Sequence, residues 1–261
     1  MNACHEMIWS RQEELSMKSD RSWARMIRRL LALKLPLSWR QWCKQMIYIK
    51  KGTEPSSLKE YRSQPNATYE GFRDKDDIRK ALLKEQGCLC AYCMSRITKE
   101  NMKIEHWSPQ NPEDGDGEAK ALDYQNMLGV CTGNMASPFE NQTCDTHKKN
   151  TTIRVNPLSQ ESVAQIAYRA DGTIYSENVA IDRDLNETLN LNCERTYLKA
   201  NRKAAIAALQ KFCLEQKRNG TWNISVLKKA EQEFGREKEG KKIPYLGAIL
   251  FFIDRYSRKT Q

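Results

Sequence analysis

Long hydrophobic runs are absent from this 261-residue chain: the longest, Leu246 to Ile253, has eight residues with a glycine inside it. A membrane-spanning helix needs about 20. With a mean hydropathy of −0.76, no membrane association is expected. No apolar stretch with a small-residue cleavage site follows Met1–Ser10, which carries His5 and Glu6, so no secretory leader is expected and the protein reads as cytoplasmic. Proline and glycine are scarce, at eight and twelve residues, and the 29% charged residues interleave both signs, which argues against wholesale disorder. Histidine is scarcer still, with three in the chain.

What the chain does have is positive charge and cysteine. Lys plus Arg number 43 against 33 Asp plus Glu, a net +10, which suits a polyanionic partner such as nucleic acid. Half of that excess lies in residues 1–45, beside Trp9, Trp23, Trp39 and Trp42. Nine cysteines are present. Cys4, Cys43, Cys193 and Cys213 are solitary, whereas Cys88, Cys90, Cys93, Cys131 and Cys144 crowd one stretch. A disulfide scaffold would be short and cysteine-rich throughout; clustering in a long basic chain points to metal.

The expected class is α+β, mainly helical, in three parts: a basic Trp-rich extension over 1–45, a domain over 46–156 and a hairpin-plus-helices domain over 157–261. Ser22–Leu35 has the 3.6 period of a basic helix ended by Pro36. Met46 starts a segment that reads as a natural beginning, with Met46–Lys51 short and extended. Gly52–Asn66, with Pro55 and Pro65, reads as loop. Asp74–Gln86 is an amphipathic helix with Asp76 and Asp77 at its positive end and Gly87 as its stop. Lys103–Pro109 reads as strand and loop, and 111–118 as an acidic loop. Asp171-Gly172 between apolar segments predicts a hairpin with a tight primed turn. Helices are expected at Glu194–Arg218, Ser225–Arg236 and Tyr245–Tyr256.

The chemistry concentrates in Cys88–Asn150. Cys90-Ala-Tyr-Cys93 is a C-x2-C knuckle, and Cys131 and Cys144 can close a tetrahedral zinc site around it; a redox pair is the alternative, though no thioredoxin-like strand-to-helix context surrounds it. Cys88 reads as a small buried residue. Between the cysteine pairs stands Glu105-His106-Trp107-Ser108-Pro109, a carboxylate and an imidazole that can divide cation binding from proton transfer. Asn126 precedes Met127-Leu128. Cys144-Asp145-Thr146-His147-Lys148-Lys149 then adds a carboxylate, an imidazole and two cations.

The order C-x2-C, Glu-His-x-x-Pro, Asn-Met-Leu, Cys and Cys-Asp-x-x-Lys resembles the HNH endonucleases. In particular LLKEQGCLCAYC, IEHWSP, YQNMLGVC and CDTHKK are similar to the HNH subunit of Septu-type anti-phage defence systems, which accompanies an ATPase there and in certain retrons. ADGTIY, LNETLNLNC, KANRKAAI and IPYLGAILFFIDR extend the resemblance over about Met46 to Arg255. It implies a small ββα-metal core with a zinc clasp, embedded between helices and followed by a β-hairpin and C-terminal helices. It implies His106 as general base, Glu105 as a ligand of Mg²⁺ or Mn²⁺, and Asn126 as a brace for the catalytic histidine. The second cation ligand is Asp145 or His147, with Asp145 favoured, and Lys148 and Lys149 would face phosphate. The implied partners are an ATPase subunit, DNA or an RNA such as tRNA as substrate, and a retron reverse transcriptase with its RNA–DNA product. The competing reading from another class is a catalytically silent zinc-knuckle module that only binds nucleic acid.

Overall fold

The computed structural model describes residues 47–110, 120–216 and 222–259. The basic helix expected at 22–35 and the acidic loop at 111–118 lie outside the described residues. From residue 47 the chain runs extended, with Ile49 buried and its N–H donating to the Pro157 carbonyl at 2.9 Å.

The loop expected over Gly52–Asn66 contains a helix, α1 (Ser56–Arg62). Pro55 occupies its N-cap, and the carbonyl of Pro55 accepts from Leu58 and Lys59. Pro55 stands just before the first helical residue, where its missing N–H removes no helical hydrogen bond; Leu58, fully buried, anchors the turn. The following helix, α2 (Lys75–Gln86), matches expectation, with Ile78 and Leu82 buried and Asp76 and Asp77 in the first turn. Gly87 ends it at φ +61, and the N–H of Cys88 reaches back to the Leu83 carbonyl. That reversal needs glycine, because a Cβ there would also run into the Lys242 side chain.

Two short strands pair antiparallel, β1 (Met102–His106) and β2 (Met127–Cys131), with Met102 opposite Cys131 and His106 opposite Met127. The backbone of β2 is also gripped at its middle: the buried Gln86 amide donates to the carbonyls of Leu89 and Gly129 and accepts from Gly129 N–H, each at 2.7 Å. Ala91 N–H donates to the same Gly129 carbonyl at 3.0 Å, which docks the cysteine knuckle on β2. A short helix, α3 (Cys144–Lys148), packs against β2.

The hairpin follows as β3 (Ile166–Tyr168) and β4 (Ile174–Ser176). Its turn is not the primed type expected. A type I′ turn needs positive φ at both central residues, and at this tip Gly172 alone has it, at +88. Gly172 N–H bonds the Arg169 carbonyl while Arg169 N–H bonds the Thr173 carbonyl, a turn with a left-handed glycine bulge. The tip also lies against helix α4 (Leu198–Gln216), where a Cβ on Gly172 would collide with the Lys199 carbonyl. Buried Arg202 of α4 ties this corner together, donating to the Gly172 and Leu191 carbonyls and to Asn192 Oδ1 at 2.6, 2.9 and 2.8 Å.

Helices α5 (Ile224–Gly235) and α6 (Leu246–Lys259) pack on each other and on α4, and α6 also packs on β3. Asn223 caps α5 by accepting from Val226 N–H. Ile249, Phe252 and Ile253 are buried on α6, as its sequence stripe implies. One buried cluster runs from Ile49 to Ile253, and the arrangement is α+β with two small sheets among the described residues. No helix among them is long and apolar enough to cross a membrane.

Candidate active site

The knuckle, β2 and α3 bring four sulfurs together. Cys90, Cys93, Cys131 and Cys144 all offer Sγ within 4.8 Å of one another. The Sγ–Sγ separations are 3.9 Å for Cys90–Cys144 and 3.7 Å for both Cys93–Cys131 and Cys131–Cys144. A tetrahedron with metal–sulfur bonds of about 2.3 Å has edges of about 3.8 Å, which these three separations match, so the donor set is compatible with zinc. Cys90, Cys93 and Cys144 are buried and Cys131 is half-buried. Hydrogen bonds from the other three thiols hold Cys93 well below the usual range, while burial pushes Cys90 up. Cys144 adopts φ +56, a left-handed conformation that costs a non-glycine residue about 1–3 kcal/mol and persists where surroundings over-determine it. Cys88, Cys193 and Cys213 stand outside the cluster, as free thiols.

Along β1, from Lys103 to His106, a cleft of about 270 Å³ is lined by Lys103, Glu105, His106, Gln110, Asp145 and Lys149, among others. Glu105 and His106 are 5% and 6% exposed, yet both line the cleft. The Glu105 carboxyl accepts from the Tyr92 hydroxyl at 2.9 Å and pairs with Lys148 Nζ at 2.8 Å. It also shares a hydrogen bond with Asp145, and burial together with that neighbour pushes it up to about 8. Asp145 goes the other way. Burial by itself would raise it, but hydrogen bonds from Glu105 and Lys103 and the nearby lysine charges hold it below its ordinary value. Two such carboxyls in low dielectric share one proton unless a cation takes its place. Their hard oxygens suit Mg²⁺ or Mn²⁺; Lys103, the partner of Asp145, is 38% exposed and also donates to Thr146 Oγ1 at 3.3 Å.

His106 places Nε2 2.9 Å from the Ala121 carbonyl. A carbonyl only accepts, so the proton sits on Nε2 and Nδ1 carries the lone pair. Burial holds the imidazole below its usual range, and Tyr69 packs edge-on to its ring at 4.6 Å. Asn126 clamps the loop that follows: its Oδ1 accepts from Ser108 N–H at 2.8 Å, and its Nδ2 donates to the Ser108 carbonyl at 2.9 Å. Its own carbonyl accepts from Trp107 N–H.

The other residues singled out in the sequence separate. His147 does not line the cleft. Its Nδ1 bonds the Thr188 carbonyl at 2.9 Å, and its ring stacks on Phe139 at 4.1 Å. Asp145, not His147, therefore stands beside Glu105. Lys148 is not on the surface where a phosphate contact was expected: its side chain is 0% exposed and ion-paired to Glu105. The physical reason is the helix period, which turns the residue four after Cys144 inward with that cysteine. Lys149 stays exposed at the cleft, with Nζ 4.5 Å from the Phe139 ring centre.

Sequence reasoning missed Lys103, Tyr92 and Tyr69. Lys103 was within reach, since two residues before Glu105 on a strand is the same face. Tyr92 looked like a spacer between zinc ligands. Nothing local to Tyr69 connects it to His106, 37 positions on.

No family model matches the chain. Among curated proteins it is similar to "Retron Ec83 putative HNH endonuclease" from Escherichia coli, 30% identical over 117 residues, covering 39% of this chain and 45% of that protein. It is also similar to "Retron Vc95 putative HNH endonuclease" from Vibrio cholerae, 24% identical over 139 residues, covering 52% of this chain and 66% of that protein. The matches thus span about half to two thirds of these relatives. Both of these relatives carry HNH endonuclease in their names.

Proposed function

We propose that the chain is a metal-dependent HNH endonuclease that hydrolyses phosphodiester bonds of DNA, or of an RNA such as tRNA. One observation carries this reading: Glu105, His106 and Asp145 converge on one cleft beside a four-cysteine cluster fit for zinc. In this reading β1, β2 and α3 form a ββα-metal core, with Zn²⁺ structural and Mg²⁺ or Mn²⁺ held by Glu105 and Asp145. When bound, that cation supplies positive charge to the scissile phosphate and the departing oxygen.

The chain's own residues supply the rest. His106 takes a proton on Nδ1 from the attacking water, while the Ala121 carbonyl holds the opposite edge of the ring. Asn126 keeps the backbone around Ser108 in place, which fixes the loop leaving the histidine. Lys149 and a released Lys103 steer backbone phosphate into the cleft. Retron relatives and the motif resemblance together support a role as effector of a Septu-type or retron defence complex. Its proposed partners are an ATPase subunit and, in a retron setting, a reverse transcriptase with its RNA–DNA product, in the cytoplasm.

The test is Mg²⁺- or Mn²⁺-dependent cleavage of plasmid DNA and of total RNA by purified protein, with and without the proposed ATPase partner. Cleavage in either arm that stops with chelator bears the reading out. A second reading has its own observation. Lys103 and Lys148 already balance both carboxylates, as a cation-free binding module would require. Retarded migration of nucleic acid with no cleavage in any arm selects that module instead.

A further inference from the structure

Glu105 is held by two donors that come from two different zinc-binding segments, and both grip the same oxygen. Tyr92 lies between Cys90 and Cys93 and donates its hydroxyl to Oε1 at 2.9 Å. Lys148 lies four residues past Cys144 and sets Nζ 2.8 Å from that same Oε1. Both are sealed from water, with Tyr92 and the Lys148 side chain each 0% exposed.

Sealing an ammonium in this way is unfavourable unless its partner is well placed, and an apolar side chain would fill the slot without that cost. A carboxylate offers about four lone-pair sites over two oxygens. With both donors set on Oε1, Oε2 is the oxygen less engaged by them. Resting on the reading of Glu105 and Asp145 as cation ligands, we propose that Tyr92 and Lys148 are positioning residues that tie down Oε1 of Glu105 and present Oε2 to a divalent cation. The cysteine cluster thereby sets the geometry of the second cation site: Tyr92, Asp145 and Lys148 are all carried on the segments whose cysteines it gathers. Lys103 differs in kind. It is partly exposed on Asp145 and can leave when a cation arrives, whereas Lys148 cannot.

The experiment measures Mn²⁺ binding to the full-length, zinc-loaded protein without nucleic acid, by electron paramagnetic resonance, for the wild type, Tyr92→Phe and Lys148→Met. Loss of a group that orients a metal ligand typically weakens binding about 10- to 100-fold. That loss is expected for Tyr92→Phe with zinc content and melting temperature near wild type. Removing a positive charge would by itself tighten cation binding, so weaker binding by Lys148→Met is the mark of positioning. Unchanged Mn²⁺ binding by a zinc-replete Tyr92→Phe overturns the proposal, as does tighter binding by Lys148→Met or no binding by the wild type. If Lys148→Met does not fold, Tyr92→Phe decides alone, because it changes one buried oxygen and no packing volume. Weakened binding in the variants, with a wild type that cuts neither DNA nor RNA, supports the positioning role and overturns the nuclease reading instead.

Discussion

One strand pair carries opposite kinds of polar cluster, at its cysteine end and along the cleft that reaches its histidine end. Where Met102 faces Cys131, four thiols gather, with separations of 3.7–3.9 Å for three of the pairs. Along β1 from Lys103 to His106, two carboxyls, an imidazole and the ammoniums of Lys103 and Lys149 border an open cleft. The first end is soft, closed and self-complementary, so whatever binds there contributes folding energy and meets no substrate. The second is hard and charge-balanced with one side left to solvent, so its groups can exchange partners. The ends also meet in α3, where Cys144 and Asp145 are consecutive.

Breaking the closed end should have the largest effect. Cys93→Ser or Cys144→Ser is expected to remove bound zinc and destabilise the fold by several kcal/mol, since structural zinc sites carry about 10–16 kcal/mol of binding energy that becomes folding energy. Elemental analysis and thermal melting read both losses; a zinc-free variant melting like wild type would sever the link between the ends.

The open end should fail differently. His106→Ala is expected to keep zinc and melting temperature while cleavage falls by about 10²- to 10⁴-fold, the usual contribution of general-base help. Wild-type cleavage by this variant would remove His106 from the reaction.

A smaller effect comes from Glu105, whose carboxyl burial and Asp145 push up to about 8. A carboxyl must lose its proton to bind a cation. Below about pH 8 binding therefore expels a proton and weakens as pH falls, by up to about tenfold per unit. His106, held below its usual range by burial, stays neutral through most of that span. The Mn²⁺ concentration giving half-maximal cleavage should fall from pH 6 to 8 and then level off. A flat profile would mean that Glu105 is already ionised.

The smallest effect is expected at His147, whose imidazole is occupied by the Thr188 carbonyl and Phe139. His147→Ala should change Mn²⁺ dependence by less than about threefold, against the 10-fold or greater shift of Asp145→Asn. The reverse ranking would reassign the second ligand.

Much of this was legible along the chain. The α2 boundaries followed from Asp76, Asp77 and Gly87, whose effects act within one turn. The four cysteines were legible because zinc demands few ligand types at short spacings. The loop over 52–66 was misread because Pro55 was taken as a breaker when it stands at a helix start. The primed turn was misread because Asp171-Gly172 answers also to α4, whose Lys199 carbonyl lies against the tip. The N-terminal 46 residues lie outside the described part.

The sequence by itself determined which chemistry is available: soft donors for one cation, hard donors and an imidazole for another, and the strand face that Lys103 shares with Glu105. Only the tertiary structure decided which groups meet. It set Asp145 rather than His147 beside Glu105, turned Lys148 inward to pair with it, and brought Tyr92 to the same oxygen. Spacing governs neighbours within a turn or a strand, but contacts between segments tens of residues apart depend on how the core and the cysteine cluster fold the chain back on itself.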